Sequence, residues 1–274
     1  MPSPRESRKE IFEDTLNWIR TDKRLSDSVM NARSNTRVYM ENDYPEYEKD
    51  RFEKMSITIS KDRSFEAAKK IKAEHPEYRV AVMNFANAFE PGGGVVHGAS
   101  AQEECLCRCS TLYPVINTTE ARKQYYDHHR KLESPMASDA LIYSEDILVI
   151  KTDTALPERM EEADWYNVDV ITVAAPDMRD RFMMKKPLND RQVYQLFVRR
   201  IAHVLTVAAS HKADAVVLGA FGCGAFYNNP EIVSTAFKQA LEGFKTAFAR
   251  CEFAIYCSEK DTVNYEVFKS VLTD

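Results

Sequence analysis

Glycine is scarce in this chain, and its placement constrains the fold more than any other feature. Of the eight glycines in 274 residues, Gly92, Gly93, Gly94 and Gly98 share one short stretch. Gly219, Gly222 and Gly224 share another, leaving only Gly243 elsewhere. Glycine lets the main chain adopt conformations closed to other residues and lets a ligand come close to it. Two loops in which backbone meets ligand are therefore expected. The first follows RVAVMNF at 79–85, an apolar run of the buried-strand type, and leads into a helix beginning near Ser100. Gln102, Glu103 and Glu104 fall in that helix's first turn, so acids arrive where the glycines do. The second loop, GAFGCG, ends the apolar run DAVVLGAF at 214–221 and precedes Asn229-Pro230, an N-cap and first-turn proline.

The rest of the chain alternates in the same way. Ser3, Pro4 and Glu6 form a capping box with a proline at the first helical position, opening a helix to about residue 20. A second helix is expected at 25–33. The acidic stretch ENDYPEYEKDR at 41–51 is too polar for core, so residues 1–50 are taken as a helical N-terminal extension packed on a main domain at 51–274. In that domain MSITIS (55–60) is a strand and 64–74 a helix. Helical character returns at 118–132, and 141–153 holds two short strand pieces. VDVITVAAP (168–176) is a buried strand, and Asn189 and Gln192 open a long helix to about 211. A helix from Asn229 to about 250, a strand CEFAIYC (251–257) and a last helix capped by Ser258 complete the order. The irregular regions are 154–167 and the basic stretch 179–186. Strands separated by helices imply an α/β fold with a largely parallel sheet covered on both faces.

Composition narrows the function. A formal charge of −5 argues against a broad nucleic-acid-binding surface, although loop amides and helix N-termini can still hold phosphate. No apolar run is long enough to span a membrane, and the charged N-terminus lacks a signal-peptide core. Six cysteines then suggest reduced thiols and a cytoplasmic protein. Cys105, Cys107 and Cys109 invite a zinc reading, but on a helix alternate residues point about 200° apart and cannot converge on one ion. No metal and no cofactor is expected.

The second loop suits a diphosphate, offering consecutive amides at a helix N-terminus, with Phe226 and Tyr227 placed to stack on a ring or to close the core beneath it. At the first loop, adjacent helical residues diverge by about 100°, so Glu103 and Glu104 are not expected to flank one bond as a glycosidase pair does. A single acid/base glutamate oriented by its neighbour is the chemistry implied. Donation near neutral pH requires an upward pKa shift, which burial and the adjacent charge would supply. Acids that merely complement a helix dipole are the plainer alternative.

Gly92-Gly93-Gly94, seven residues and then Gln102-Glu103-Glu104, preceded by NFAN, resembles the poly(ADP-ribose) glycohydrolases of the short bacterial-type branch. CRCSTLYP and the distal VLGAFGCGAFYNNP are similar to that branch as well, so the likeness covers residues 80–117 and 168–257. It implies a three-layer α/β/α macrodomain with a mixed, largely parallel central sheet. It implies hydrolysis of ribose–ribose O-glycosidic bonds to release ADP-ribose, with Glu104 as general acid/base and Glu103 on the ribose hydroxyls. Asn87 would contact the distal ribose, and Gly92, Gly93, Gly94 and Gln102 would line the substrate. Gly222, Cys223, Gly224, Ala225 and Phe226 would form the diphosphate loop, with Phe226 near the ribose.

A macrodomain that only binds ADP-ribose, or one that hydrolyses another ADP-ribosyl linkage, is the alternative. The expected partners are ADP-ribose, poly(ADP-ribose) or ADP-ribosylated proteins. A monomer is expected, with neither membrane nor sequence-specific nucleic-acid contact.

Overall fold

The computed structural model describes residues 3–179 and 187–273; of the basic stretch at 179–186, all but Arg179 lies outside the described residues. Helix α1 (Pro4–Thr21) starts on the expected capping box: Ser3 Oγ accepts from the Glu6 amide and Glu6 returns a carboxylate to the Ser3 amide. Helix α2 (Lys23–Asn35) follows, and then β1 (Arg37–Tyr39). Next come β2 (Ser56–Ser60), α3 (Ser64–Glu74) and β3 (Val80–Ala86). Helices α4 (Gln102–Cys109), α5 (Leu112–Ile116), α6 (Thr119–Ala121) and α7 (Asp127–Leu132) lead to β4 (Leu141–Val149) and β5 (Tyr166–Ala174). The chain ends with α8 (Asp190–Ser210), β6 (Ala215–Leu218), α9 (Pro230–Leu241), β7 (Arg250–Ala254) and α10 (Val263–Thr273).

The strands form one sheet in the order β1-β4-β5-β3-β6-β7-β2. From β5 to β2 all neighbours run parallel, while β4 is antiparallel to both β5 and β1. The period-two alternation of a strand sends successive side chains to opposite faces. Met83, Ile171, Val216 and Phe253 point into the core beneath α8, α9 and α10. Val82, Val170, Val217 and Ala254 point into the core shared with α1 to α5. The result is the expected three-layer α/β/α fold.

Four local expectations differ from the structure. The first fifty residues are not wholly helical, because Arg37–Tyr39 pairs with Leu141–Tyr143 and forms one edge of the sheet. Phe12, Ile19, Leu25, Val29 and Ala32 also belong to the same core as Val82 and Ile142. Residues 141–149 form one strand where two pieces were expected. A bulge between Ser144 and Ile147 divides it, with Asp146 at φ +55° and its amide donating to Asp169 Oδ1 at 3.1 Å. Helix α9 stops at Leu241 instead of about 250. A 3₁₀ turn (Glu242–Phe244) takes over at Gly243, where a helix interior is costly, although Phe244 and Phe248 remain buried. The last helix starts at Val263, because Ser258 bridges to Asp261 in a turn of its own.

Strands β3 and β6 are parallel neighbours. Their carboxyl ends therefore open on the same edge of the sheet, and each feeds one glycine loop. Ligands of open α/β sheets bind at that edge.

Candidate active site

A cavity of about 560 Å³ lies at the carboxyl ends of these strands. Of the residues singled out by sequence, Asn87, Gln102, Glu103, Glu104, Gly222, Gly224, Ala225 and Phe226 line it. Gly92, Gly93 and Gly94 stand behind the glutamates, and Cys223, half-buried, is packed against the core.

Helix α4 is short, and its first turn is tied to the backbone by side chains. Gln102 fixes it to the end of β3, accepting from the Phe85 amide at 2.9 Å and donating to Met83 O at 2.7 Å and to Ser64 Oγ at 3.0 Å. Glu103 turns inward. Its Oε2 accepts from the Asn87 amide at 2.7 Å and its Oε1 from the Gly92 amide at 3.2 Å. Glu104 Oε1 accepts from the Gly94 amide at 2.8 Å, while its Oε2 is buried without a hydrogen-bond partner.

The glutamates diverge at the backbone, yet their long side chains converge on one glycine. A Cβ built on Gly93 would lie 2.6 Å from Glu104 Oε1 and 3.0 Å from Glu103 Oε2, and its φ of +55° also disfavours a side chain. Helical divergence alone therefore underestimates how near the two carboxyls come. Burial pushes the Glu103 carboxyl up to about 8; the Asn87 amide pulls against that shift and the adjacent Glu104 charge adds to it.

The loop after β6 faces these acids. The buried Asn228 holds it closed, donating to Pro176 O at 2.8 Å and to Gly222 O at 3.0 Å. Among the described residues, the amides of Gly224, Ala225 and Phe226 have no protein acceptor. Consecutive free amides of this kind form an anion-binding concavity. The Arg179 guanidinium lies 5.6 Å over the Phe226 ring and is paired with Asp177.

Sequence alone misses the opposite wall. Asp153 lies beyond β4 and is buried; its Oδ2 accepts from the Phe65 amide at 2.9 Å, while its Oδ1 has no partner. Burial, opposed by that amide, raises its carboxyl to about 6. Nearby, the Arg63 guanidinium stacks 3.9 Å over the Tyr256 ring, and both residues line the cavity. The only available signal is positional, and it covers Arg63 and Tyr256, which follow the ends of the parallel strands β2 and β7; Asp153 follows the antiparallel β4 and has none.

The model of the microbial-type PARG (poly(ADP-ribose) glycohydrolase) catalytic domain matches residues 14–152. The chain belongs to the microbial-type poly(ADP-ribose) glycohydrolases. Within that family it is similar to the solved poly(ADP-ribose) glycohydrolase of Thermomonospora curvata bound to the inhibitor ADP-HPD. The two are 30% identical with a TM-score of 0.84, over 97% of this chain and 99% of that one. The poly(ADP-ribose) glycohydrolase of Deinococcus radiodurans in complex with ADP-ribose is also similar. It is 30% identical with a TM-score of 0.79, over 89% of this chain and 97% of that one. No curated protein matches the chain. The microbial-type glycohydrolase fold runs through both the N-terminal helices and the C-terminal strands. No helix among the described residues is long and apolar enough to cross a membrane.

Proposed function

We infer that this protein is a poly(ADP-ribose) glycohydrolase, and that Glu104 is its general acid and base. One observation carries the assignment: Glu104 is pinned through Oε1 by the Gly94 amide and presents a buried, unpartnered Oε2 at the cavity. A group held on one oxygen and unspent on the other is positioned to donate a proton and then recover one. Both Glu103 oxygens already accept from backbone amides, which leaves Glu104 Oε2 as the oxygen placed to deliver the proton. It passes to the leaving 2′-oxygen as the scissile C1″–O bond breaks and the sugar takes on oxocarbenium character. Glu104, now a carboxylate, removes a proton from the attacking water, whose oxygen bonds to C1″. ADP-ribose leaves and the acid form is restored.

The remaining residues bind and orient. Each Glu103 oxygen keeps a lone pair for a ribose hydroxyl beyond the amide it accepts from. Asn87 faces the distal ribose. The free amides from Gly224 to Phe226 suit the diphosphate, and Phe226 packs against the ribose. At the opposite wall, Asp153 Oδ1 suits the exocyclic amine of the adenine, whose face can lie against Arg63 and Tyr256. A module that only binds ADP-ribose has no need of a carboxyl held on one oxygen and left unspent on the other. The free thiols fit a reducing compartment, the cytoplasm, and one chain carries the whole site, as a monomer requires.

Incubation with poly(ADP-ribose) and sizing of the products tests the reading. Release of ADP-ribose by the wild type, lost in Glu104→Gln, supports it. Wild-type protein that binds ADP-ribose but leaves the polymer intact would make it a reader, and cleavage restricted to protein-linked ADP-ribose would make it a hydrolase of another linkage.

A further inference from the structure

The segment joining the first glycine loop to the catalytic helix is held by three arginines on three successive carbonyls. Arg5 Nε donates to His97 O at 2.7 Å, Arg8 Nε to Gly98 O at 2.8 Å, and Arg108 Nη1 to Ala99 O at 2.6 Å. Arg108 belongs to α4 itself, whereas Arg5 and Arg8 come from the first turns of α1, ahead of the residues that the family model matches.

The fit is close. Gly98 adopts φ +73°, and a Cβ there would overlap the Arg5 carbonyl and lie 3.0 Å from the Arg5 and Lys9 side chains. Further along, α1 touches both sides of the same unit. Thr15 Oγ1 donates to Arg108 O at 2.7 Å near the end of α4, and Phe12 packs edge-on to Tyr113, whose ring abuts Gly92. The buried Lys151 anchors α1 by donating to Ile11 O at 2.9 Å and pairing with Asp14 at 2.7 Å.

The loop's internal bonds connect this clamp to the chemistry. Gly94 O accepts from both the His97 amide at 2.9 Å and the Ala99 amide at 3.1 Å, while the Gly94 amide holds Glu104. Displacing the 97–98 peptides therefore displaces the donor that orients the acid.

We propose that Arg5 and Arg8 are positioning residues for the glycohydrolase reaction, through which α1 sets the Gly94 amide against Glu104. They touch no substrate. The proposal rests on the assignment of Glu104 for its kinetic arm, but its structural arm does not.

The test compares wild type with R5A/R8A and R5K/R8K. Lysine keeps a cationic donor for each carbonyl, whereas alanine keeps none. With poly(ADP-ribose) as substrate, R5A/R8A should lose kcat by about tenfold, the scale of a small misplacement at a reacting group. KM and the Kd for ADP-ribose should stay within about twofold of wild type, and R5K/R8K should recover most of the lost kcat. In parallel, amide hydrogen exchange over 92–101 should speed up at least about fivefold in R5A/R8A while exchange in β3 and β6 stays unchanged. Wild-type exchange over 92–101 in R5A/R8A overturns the clamp whatever the activity. Unchanged kcat in R5A/R8A, or a kcat loss matched by an equal loss of ADP-ribose affinity, overturns the positioning role. An inactive wild type would sink the functional reading instead, and the exchange comparison would still decide the clamp.

Discussion

Glu104 is held by the backbone of Gly94, its Oε1 accepting from that amide at 2.8 Å while its Oε2 is buried without a partner. A carboxyl fixed in this way is held in a single orientation. Glu104→Gln keeps the shape and an acceptor for Gly94 but cannot cycle a proton. Turnover of poly(ADP-ribose) should fall about 10³-fold or more, near the upper range for general acid–base catalysis. Calorimetry with ADP-ribose should still show binding within a few-fold of wild type.

Gly93 cannot carry a side chain without disturbing both acids. Gly93→Ala places a methyl 2.6 Å from Glu104 Oε1 at a backbone φ of +55°. The strain should lower unfolding free energy by about 1–3 kcal/mol, visible in chemical denaturation, and activity should fall further than ADP-ribose affinity.

The raised Glu103 carboxyl gives a signed pH dependence. Its folded-state pKa of about 8 lies above the unfolded value of about 4.3. The fold therefore binds the extra proton between these values. The stability that this group contributes is complete below about 4.3 and is lost progressively as pH rises through 8. Replacing Glu103 by Gln should flatten the fall of Tm across that window. In the wild type, kcat should decline above about pH 8 as the Glu103 carboxyl loses its proton, which a pH–rate profile would register.

Asp153→Asn keeps an acceptor for the Phe65 amide but replaces half of the carboxylate with a donor. ADP-ribose affinity should weaken by about 1–3 kcal/mol, the cost of leaving a buried polar group mispaired. An inosine analogue of ADP-ribose, which lacks the exocyclic amine, should show little difference between the two proteins. Equal weakening for both ligands would count against Asp153 as the adenine partner.

A chain starting at residue 51 lacks Phe12, Ile19, Leu25, Val29 and Ala32 from the core and uncovers β4 as a bare edge. It should be recovered as aggregate or lack a cooperative melt. A soluble, cooperatively unfolding 51–274 fragment would instead make the N-terminal residues a separable unit.

Much of the site was legible because its parts are local in sequence. A strand, a glycine loop and a helix N-terminus with adjacent acids lie within about twenty-five residues from Val80 to Glu104, and each has a residue-level signal: apolar runs, glycine, and acids in a first turn. The capping boxes at Ser3 and Asn189 were equally plain, since a cap is a contact across three residues. Strand β1 was not legible, because three residues carry too little periodicity and its partner lies a hundred positions away.

By itself, the sequence determined the alternation of elements, the two glycine loops and the placing of acids beside the first of them, because these follow from local backbone preference and side-chain chemistry. Tertiary structure alone decided that Glu103 and Glu104 converge on Gly93, that Asp153 lines the far wall, and that α1 grips the carbonyls of His97 and Gly98 through Arg5 and Arg8. Those relationships depend on long side chains and on residues far apart in the chain meeting in three dimensions. Neither the spacing nor the composition of a linear chain records such meetings.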